Sequence, residues 1–327
     1  MSDNLAPDQN IVVVKRSGVN SLVNKQRIPK ILHYCFGFSP DFGGKPFGLS
    51  HWACIKSAVD RLRPDRVFLY YEFEPNGPWW RKALELIEPI KITAPREIFG
   101  HSIEHPAHRS DITRLEKLIE MGGIYLDTDV FVHRSFDHLL MNSTVLGREG
   151  DEAHDKLCNA VILAEPGAPF LKRWYEEYKD FRGQGRGRFW NEHSVQRPGL
   201  LARQYPDEIT IISNRAFFWP LFFSADLAKI FKSTESIIGP ETLATHLWEN
   251  QAWRKYLELL TPGAVRQRDG NFNSWVRPMV ADLDDNFGAP TASQHIRNWI
   301  GRCEDVRVKL VYKVSNLAEK LRSFAKV

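Results

Sequence analysis

The clearest hydrophobic pattern in the chain lies between residues 109 and 130. Its first half carries apolar side chains at the three- and four-residue spacing of a helix that lays one face on a core: Ile112, Leu115, Leu118 and Ile119. Gly122 and Gly123 supply the backbone freedom that ends such a helix. The Ile-Tyr-Leu run that follows is typical of a strand buried on both faces. The pattern therefore predicts a helix, a glycine turn and a buried strand.

The same kinds of pattern alternate on both sides of this stretch. Strands are predicted at 31–37, 66–71, 90–92, 139–146 and 159–163, and helices at 49–62, 79–88 and 170–181. Repeated strand–helix–strand units imply parallel strands joined by right-handed crossovers. The fold class predicted from the pattern is therefore α/β.

Two carboxylates, Asp127 and Asp129, follow the predicted buried strand at its carboxyl end. In an extended chain, residues i and i+2 project to the same side, and two carboxylates there repel each other unless a cation lies nearby. Hard oxygen ligands suit Mg²⁺ or Mn²⁺, and open α/β sheets bind ligands beyond the carboxyl ends of their strands. The alternative interpretation of Asp-Thr-Asp is a turn or a capping sequence.

Composition narrows the class of protein. With 327 residues, 43% of them hydrophobic, the chain can bury the core of one large domain, with or without an appendage. A net charge of +4 fits anionic small ligands or an anionic membrane surface, but it is far from the charge of a nucleic-acid-binding protein. The four cysteines form no metal-binding spacing and are expected to be free thiols.

Residues 109–130 also resemble a known family. Arg109-Ser110-Asp111, Arg114, Gly122 to Asp127 and Asp129-Val130 match the pattern R-S-D-x-x-R-x-x-x-L-x-x-x-G-G-I-Y-L-D-T-D-V. This pattern is that of DXD-containing glycosyltransferases with a sugar-binding region, the family 32 type, related to α-1,4-galactosyltransferases, initiating mannosyltransferases and bacterial capsular and surface-glycan transferases. The resemblance implies a GT-A type fold, Rossmann-like with a mostly parallel central sheet and flanking helices, followed here by a C-terminal helical extension.

A second stretch, 244–253, resembles the H-x-W-x-x-x-W segment of the same family. The resemblance implies that His246 completes the metal shell or binds the diphosphate, and that Trp248 closes over the diphosphate. Imidazole is an acceptable ligand for Mn²⁺ and a poorer one for Mg²⁺. The alternative is a histidine that packs against tryptophans in the core.

The resemblance implies several further contacts with the sugar donor. Phe36 is the best match to the aromatic residue that stacks on the nucleobase, with His33 and Tyr34 beside it, although all three could be buried strand residues. Asp111 and Arg114 are expected to reach the sugar hydroxyls and the diphosphate; the alternative is a simple i,i+3 ion pair. Asn159 is expected to hydrogen-bond the donor sugar, or else to cap a turn. These six residues, with Asp127 and Trp248, form the predicted donor site.

The predicted reaction moves a sugar from a nucleoside-diphosphate sugar, most simply a UDP-sugar, to a hydroxyl of a glycan or lipid-linked acceptor with retention of configuration. The protein would thus be a hexosyltransferase in which Asp127, Asp129 and His246 hold Mn²⁺ or Mg²⁺, and Asp127, Asp129 and Arg114 are catalytic. Two alternatives are a metal-dependent phosphohydrolase of nucleotide-sugars, and a non-catalytic module that binds nucleotide-sugars or glycans. No nucleic-acid partner is expected.

Three regions are predicted along the chain: a flexible N-terminal arm at 1–26, the GT-A domain at 27–260 and a C-terminal extension at 261–327. The extension ends in a basic amphipathic helix at 306–327, which either lies on anionic lipid or docks on its own domain or a partner. No signal peptide or apolar run of about 18 residues is present in the sequence. The expected location is the cytoplasm of a bacterium, or peripherally the cytoplasmic face of the inner membrane.

Overall fold

The structure is a computed structural model that describes residues 26–150, 156–183, 185 and 187–304. The predicted arm at 1–26 (except Gln26) and the predicted helix at 306–327 lie outside the described residues, so both stay predictions.

Strands and helices alternate through the first half of the described chain. The strands are β1 Ile31–Cys35, β2 Arg66–Tyr71, β3 Glu88–Lys91, β4 Glu97–Ile98, β5 His101–Ser102, β6 Gly123–Leu126, β7 Val130–Val132, β8 Thr144–Arg148, β9 Leu157–Ala164, β10 Thr210–Ile212 and β11 Ala244–His246. The helices are α1 Leu49–Leu62, α2 Pro78–Ala83, α3 Pro106–Met121, α4 Pro169–Glu176, α5 Arg197–Gln204, α6 Asn214–Phe217, α7 Ser224–Phe231, α8 Glu249–Ala252, α9 Pro262–Gln267 and α10 Asn271–Val276. Residues 292–304 form a further helix, α11.

Seven strands form the central sheet in the order β10-β8-β9-β6-β1-β2-β3. Strands β1, β2, β3 and β6 are parallel to their neighbours among themselves, and β10 is parallel to β8. Only β9 among these seven runs antiparallel to both of its neighbours, β6 and β8. The sheet is therefore mixed but mostly parallel, which confirms the predicted α/β, GT-A type fold, and the C-terminal part is helical as predicted.

The side chains of the sheet alternate between two apolar layers. Leu32 and Tyr34 of β1 enter one buried cluster with α1 and α2, whereas Cys35 enters the other cluster with α3, α4 and α5. Because both faces of the sheet are covered, β6 is buried along its whole length. The carboxyl ends of β1 and β6 remain as the edge at which polar groups can gather.

The glycine turn between α3 and β6 has the conformation that the sequence predicts. Gly122 and Gly123 have φ values of 64° and 118°, a region that L side chains rarely adopt. A Cβ on Gly123 would lie 2.5 Å from the carbonyl oxygen of Ile31 in β1. The second glycine is therefore required both by its φ and by the close approach of the neighbouring strand.

Some predicted boundaries were wrong. The helix predicted at 79–88 ends at Ala83, because the Leu86 amide bonds back to the Ala83 carbonyl at 2.8 Å and turns the chain into β3. The strand predicted from 139 begins at Thr144, because the Asn142 side chain donates to the Leu139 carbonyl at 2.8 Å and holds a turn. The predictions for α1 and β2 are confirmed to the residue.

His33 in β1 is fully buried and neutral. Its Nε2–H donates to the carbonyl oxygen of Gly122 at 2.9 Å, and its Nδ1 accepts from the Tyr70 hydroxyl at 3.0 Å. The Gly122 carbonyl can only accept, so this pair of bonds fixes the neutral Nε2–H tautomer. Burial lowers the pKa of His33 from the ordinary 6.5 to about 4.

We expect this histidine to make the protein acid-sensitive. A pKa that is lowered in the folded state leaves stability complete above pH 6.5 and removes it as pH falls towards 4, because the unfolded chain binds the proton first. Between pH 6.5 and about 4.5 the free energy of unfolding should fall by about 2 kcal/mol through His33 alone. Urea denaturation of wild type and His33→Gln measures it, with exposed His138→Gln as control. An unchanged pH slope in His33→Gln would contradict the assignment.

Among the described helices, none combines the length and the apolar character needed to cross a bilayer.

Candidate functional site

A cavity of roughly 860 Å³ opens at the carboxyl edge of the parallel strands. It is lined by the residues after β1, by the start of α3, by the turn after β6 and by the start of α8. Its volume lies within the range of sites that bind cofactors and small molecules. Its position is the one at which open α/β sheets take their ligands.

The turn after β6 carries Asp127 and Asp129 into this cavity. The geometry differs from the extended chain assumed from the sequence, because the Val130 amide donates to the Asp127 carbonyl at 3.1 Å and closes a turn. The Asp127 amide in turn donates to the Ala160 carbonyl of β9 at 2.9 Å. The two carboxylates converge because this turn is anchored to the sheet, not because they alternate along a strand.

His246 joins them through a small two-stranded sheet. Strand β11 pairs antiparallel with β7, and His246 lies opposite Val130, the residue after Asp129. The chain then wraps around this aspartate: the Leu247 amide donates to the Asp129 carbonyl at 2.9 Å. A backbone ladder thus closes a gap of more than a hundred residues in the sequence.

Asp127, Asp129 and His246 form a group suited to one divalent ion. One possible ligand atom from each residue lies within 4.8 Å of the others, and the donor set of two carboxylates and an imidazole is chemically suited to Mn²⁺ or Mg²⁺. The Nδ1 of His246 is buried without a hydrogen-bond partner among the described residues. Buried polar groups without a partner are uncommon, and a ligand role accounts for one.

The pKa values of the three side chains in this group are shifted in different directions. His246 Nε2 lies 3.2 Å from Asp129 Oδ2. Burial opposes charge on both side chains, but their mutual attraction outweighs it, so the pKa of His246 is raised and the pKa of Asp129 is lowered. Burial raises the pKa of Asp127, Arg114 opposes this shift and the charge of Asp129 adds to it. The electrostatics of this group therefore favour charge on His246 and Asp129 and oppose charge on Asp127.

Arg114 is buried beside the candidate metal group formed by Asp127, Asp129 and His246, called the metal group below. Its guanidinium contacts two acidic residues. Its Nη2 lies 3.2 Å from Asp127 Oδ1 and 3.4 Å from Asp111 Oδ1. Its Nη1 donates to the Asn159 carbonyl at 2.6 Å, and its guanidinium stacks 4.2 Å from the centre of the Tyr125 ring. Burial lowers the pKa of Arg114, but Asp127 and its neighbours reverse this and raise it. Arg114 is therefore a fixed positive charge at the base of the cavity.

Asp111 is held on three sides at the start of α3. The Asn159 side-chain amide donates to its Oδ1 at 2.7 Å, and His108 Nδ1 lies 3.4 Å from its Oδ2. Burial raises the pKa of Asp111, but His108 and Arg114 together outweigh this and leave it lowered. The i,i+3 contact with Arg114 proposed as an alternative is present, but both residues also line the cavity. Asn159, which is expected to hydrogen-bond the donor sugar, lines the same cavity.

Trp248 lines the cavity and also packs in the core. Its ring centre lies 4.2 Å from that of His246, and its indole N–H donates to the Pro220 carbonyl at 2.8 Å. Its φ of 55° turns the chain into α8. Both interpretations of Trp248 from the sequence are thus compatible with its position.

One part of the predicted donor site, the part at β1 and the residue after it, differs in the structure. Phe36 lines the cavity, where its ring stacks on Phe42 with centroids 5.8 Å apart. His33 and Tyr34 do not reach the cavity, because both side chains are fully buried. The His33 ring is held by hydrogen bonds to Gly122 and Tyr70, and Tyr34 packs among apolar residues. The expectation that they contact the donor is therefore wrong in this structure.

Sequence reasoning missed the support of Asp129 by α8. The Glu249 amide donates to Asp129 Oδ2 at 2.7 Å. The Glu249 carboxylate is held by His51 Nε2 at 2.5 Å and Lys45 Nζ at 2.9 Å, from α1 and the loop before it. The Gly48 amide donates to His51 Nδ1, so Nε2 carries the proton that Glu249 accepts. The sequence feature that could have indicated this contact is Glu249, the acidic residue directly after the H-x-W segment.

Two more groups in the cavity had no signal in the sequence. The Tyr125 hydroxyl donates to Asp127 Oδ1 at 2.8 Å, although Tyr125 was expected only as a strand residue. Glu149, just after β8, also lines the cavity, and burial raises the pKa of its carboxyl. Both additions make the cavity a site for charged, hydrogen-bonding ligands.

Comparison with known proteins agrees with this site. The family model described as glycosyltransferase sugar-binding region containing DXD motif matches residues 50–146. Glucan organizing enzyme 1 of Cryptococcus neoformans is 36% identical over 269 residues, which cover 79% of this chain and 72% of that protein. Lactosylceramide 4-alpha-galactosyltransferase of Mus musculus is 24% identical over 220 residues, covering 67% of this chain and 50% of that protein.

Solved structures with similar features include two glycosyltransferases. GlyE of Streptococcus pneumoniae, in its apo form, gives a TM-score of 0.45 at 11% identity and covers 78% of this chain and 61% of its own. The galactosyltransferase LgtC, in complex with donor and acceptor sugar analogs, gives a TM-score of 0.34 at 13% identity and covers 66% of this chain and 86% of its own.

The α/β fold with this acidic edge, taken with the sequence matches, defines a glycosyltransferase. More particularly, the chain belongs to the family of glycosyltransferases whose sugar-binding region contains the DXD motif. The relatives reported above come from a fungus and an animal, and the predicted bacterial origin has no support among them.

Proposed function

We propose that the protein transfers a sugar from a nucleoside-diphosphate sugar, in the simplest case a UDP-sugar, to an acceptor hydroxyl with retention of configuration. The observation that carries the proposal is the convergence of Asp127, Asp129 and His246 beside the buried guanidinium of Arg114. Three metal ligands and a fixed cation at one edge of a cavity suit a diphosphate, which carries negative charge on both phosphates.

Each residue of the site has a proposed part in the reaction. Asp127, Asp129 and His246 would hold Mn²⁺, which suits imidazole better than Mg²⁺ does. When bound, the ion acts as a Lewis acid towards the leaving diphosphate. Arg114 offsets the charge that develops on the same phosphates, and its buried position makes this interaction stronger than it would be in water.

The sugar would lie between the start of α3 and β9. Asp111 and Asn159 both line the cavity and are joined by a hydrogen bond of 2.7 Å, so each holds the side chain of the other in place. Such pre-organised groups orient a sugar hydroxyl without the entropy cost of ordering flexible side chains. Phe36, which lines the cavity and stacks on Phe42, offers an aromatic ring for the nucleobase.

The acceptor is proposed by analogy with the names of the relatives. One relative is a galactosyltransferase that acts on lactosylceramide, and another is a glucan organizing enzyme. A hydroxyl of a glycan or of a glycan carried on a lipid is therefore the proposed acceptor class.

The proposal is tested by binding and by product analysis. We expect Mn²⁺ and UDP together to stabilise the protein by about 2.7 kcal/mol at a hundredfold excess over Kd, because ligands that bind only the folded state shift unfolding. We expect UDP-sugars with Mn²⁺ to yield a glycosylated acceptor, detected by mass spectrometry, with anomeric configuration read by NMR. Cleavage of the donor at its phosphoanhydride bond, giving UMP and a sugar 1-phosphate with no transfer to any acceptor glycan, would favour a phosphohydrolase instead.

His246→Gln separates the ligand role from a packing role. We expect Kd for Mn²⁺, measured by isothermal titration, to rise at least about tenfold, because one of three protein ligands is replaced by a weaker donor. The matched control is His138→Gln, which alters an exposed histidine. Unchanged Mn²⁺ affinity in a folded His246→Gln variant would exclude His246 from the metal shell.

A further inference from the structure

The last described helix, α11, presents its apolar side chains outward. Ile296, Trp299 and Ile300 are 58%, 68% and 49% exposed. Their three- and four-residue spacing places them on one face, where Cys303 follows. An amphipathic helix of a globular domain normally buries such a face.

The opposite face of α11 fixes the helix to the domain. Asn298 is 3% exposed, and its side-chain amide donates to the Arg254 carbonyl at 2.9 Å and to the Glu258 carboxylate at 2.5 Å. Arg254 donates to the Gly301 carbonyl at 3.2 Å, and a Cβ on Gly301 would lie 2.8 Å from that guanidinium. At about 100° per residue, Asn298 and Gly301 lie opposite the apolar face.

The helix is therefore docked in the inverse orientation, with polar groups and a glycine inward and large apolar groups outward. The docking is specific, since it uses a buried amide with two acceptors and a close backbone approach. This docking leaves the large apolar side chains exposed. An exposed apolar face of this kind marks a surface that binds an apolar partner.

Basic side chains flank this face on both sides. Arg297 and Arg302 are exposed, and each lies about 110° from the centre of the apolar stripe. Arginines at such positions can lay their stems along an apolar surface and keep the guanidinium at the level of lipid headgroups. An exposed tryptophan between them is the residue type that is enriched at the boundary between water and lipid.

The sequence that follows α11 continues the same pattern. Twenty-three residues come after 304, and their apolar positions keep the three- and four-residue spacing: Val306, Leu310, Val314, Leu317, Leu321 and Phe324. From residue 296 to 327 the chain has eight Lys or Arg against three Asp or Glu. This excess of five is larger than the net charge of +4 of the whole protein.

We propose that the outward face of α11, flanked by Arg297 and Arg302, binds the surface of an anionic lipid bilayer, with the helix lying in the plane of that surface. Apolar burial at the boundary of the acyl chains and attraction of the flanking cations to anionic headgroups both favour this partner. A protein partner or second copy is less well matched, because three side chains offer little of the roughly 1,200 Å² that a stable interface buries.

The position of α11 connects this surface to the site. Arg254 and Glu258, which hold Asn298 and Gly301, lie just beyond α8, and α8 begins with Glu249, whose amide holds Asp129. A bilayer bound to α11 would thus be joined to the metal group by one short stretch of chain.

The test is co-sedimentation of the full chain with vesicles, which needs no substrate. We expect the protein to pellet with vesicles of phosphatidylcholine and phosphatidylglycerol in equal amounts, but not with phosphatidylcholine alone, and to be released by high salt. The triple variant Ile296→Ser, Trp299→Ser, Ile300→Ser should lose binding at least about tenfold, because the apolar contribution is removed. Leu200→Ser, which changes another exposed apolar residue, should bind as wild type does.

Since the three side chains are exposed, the triple variant should keep the thermal stability of wild type, which circular dichroism checks. Failure of wild type to bind the anionic vesicles, or full binding by the triple variant, would overturn the proposal. A dimer of wild type in sedimentation velocity that the triple variant converts to monomer would also overturn it, because a second copy would then cover the face.

Discussion

Asp129→Asn is expected to reduce glycosyl transfer by about a thousandfold while leaving the fold intact. The amide keeps the shape of the side chain and can still accept from the Glu249 amide, which lies 2.7 Å from Asp129 Oδ2. It loses the negative charge that a divalent ion needs, and a bound metal ion contributes several kcal/mol of charge stabilisation in a reaction of this type. The measurement is kcat with saturating donor and Mn²⁺, beside the midpoint of thermal unfolding.

Asp269→Asn is the matched control, since the Asp269 side chain is 82% exposed and its nearest cation, on Arg277, is 3.9 Å away. It should change neither activity nor stability beyond about 0.5 kcal/mol. A folded Asp129→Asn variant with full activity would refute a metal role for this carboxylate. A variant that loses activity only because it unfolds would be recognised by its lowered midpoint.

Arg114→Met is expected to lose activity and also to destabilise the fold by about 3–5 kcal/mol. Its removal leaves Asp111 and Asp127 without their shared counter-charge, and an uncompensated buried charge is costly. Methionine fills much of the apolar space over Tyr125, so the loss reports on charge and hydrogen bonding more than on packing. Urea denaturation gives the free energy of unfolding, and donor Kd reports the loss of phosphate binding.

Arg66→Met provides a comparison pair at the surface. Arg66 and Glu88 are joined at 2.6 Å, but their side chains are 55% and 45% exposed, so water screens the pair and the loss of stability should be much smaller than that of Arg114→Met. Arg114→Lys should recover part of the stability but little of the activity, because lysine keeps the charge without the planar fork. Equal effects of Arg114→Met and Arg66→Met on stability would show that Arg114 is not a buried counter-charge.

Much of the fold could be predicted from the spacing of apolar residues and the positions of glycines in the sequence. The helix α3, the glycine turn and β6 could be predicted because their apolar spacing and their glycines leave few alternatives. The end of α2 could not, because it depends on one backbone bond to Ala83 that competes with continued helix. Propensity alone does not decide between two such hydrogen bonds.

The site was predictable as far as it lies in motifs. The resemblance placed Asp127, Asp129 and His246 together, and the structure brings them within reach of one ion. It could not give the reason, which is a turn and a two-stranded ladder and not the alternation of an extended strand. It also placed His33 in the donor site, where only the tertiary environment reveals a buried neutral ring.

Arg109 illustrates the same limit. It belongs to the motif that carries the resemblance, yet its guanidinium donates to the backbone carbonyls of Ile103, Phe38 and Glu104. Its part is to tie the loop after β1 to the segment before α3. Motif membership therefore identifies the region of the site, whereas contacts decide which members face a ligand.

The ladder between β7 and β11 has a consequence for the order in which the enzyme becomes competent. Two of the three candidate metal ligands lie within residues 50–146, which match the family region, but the third lies on β11, more than a hundred residues later. A nascent chain leaving the ribosome would therefore have an incomplete ligand set until residues 244–249 have emerged and paired with β7. If the proposed metal role holds, residues 50–146 alone would lack one ligand, and the site would be completed by the later part of the chain.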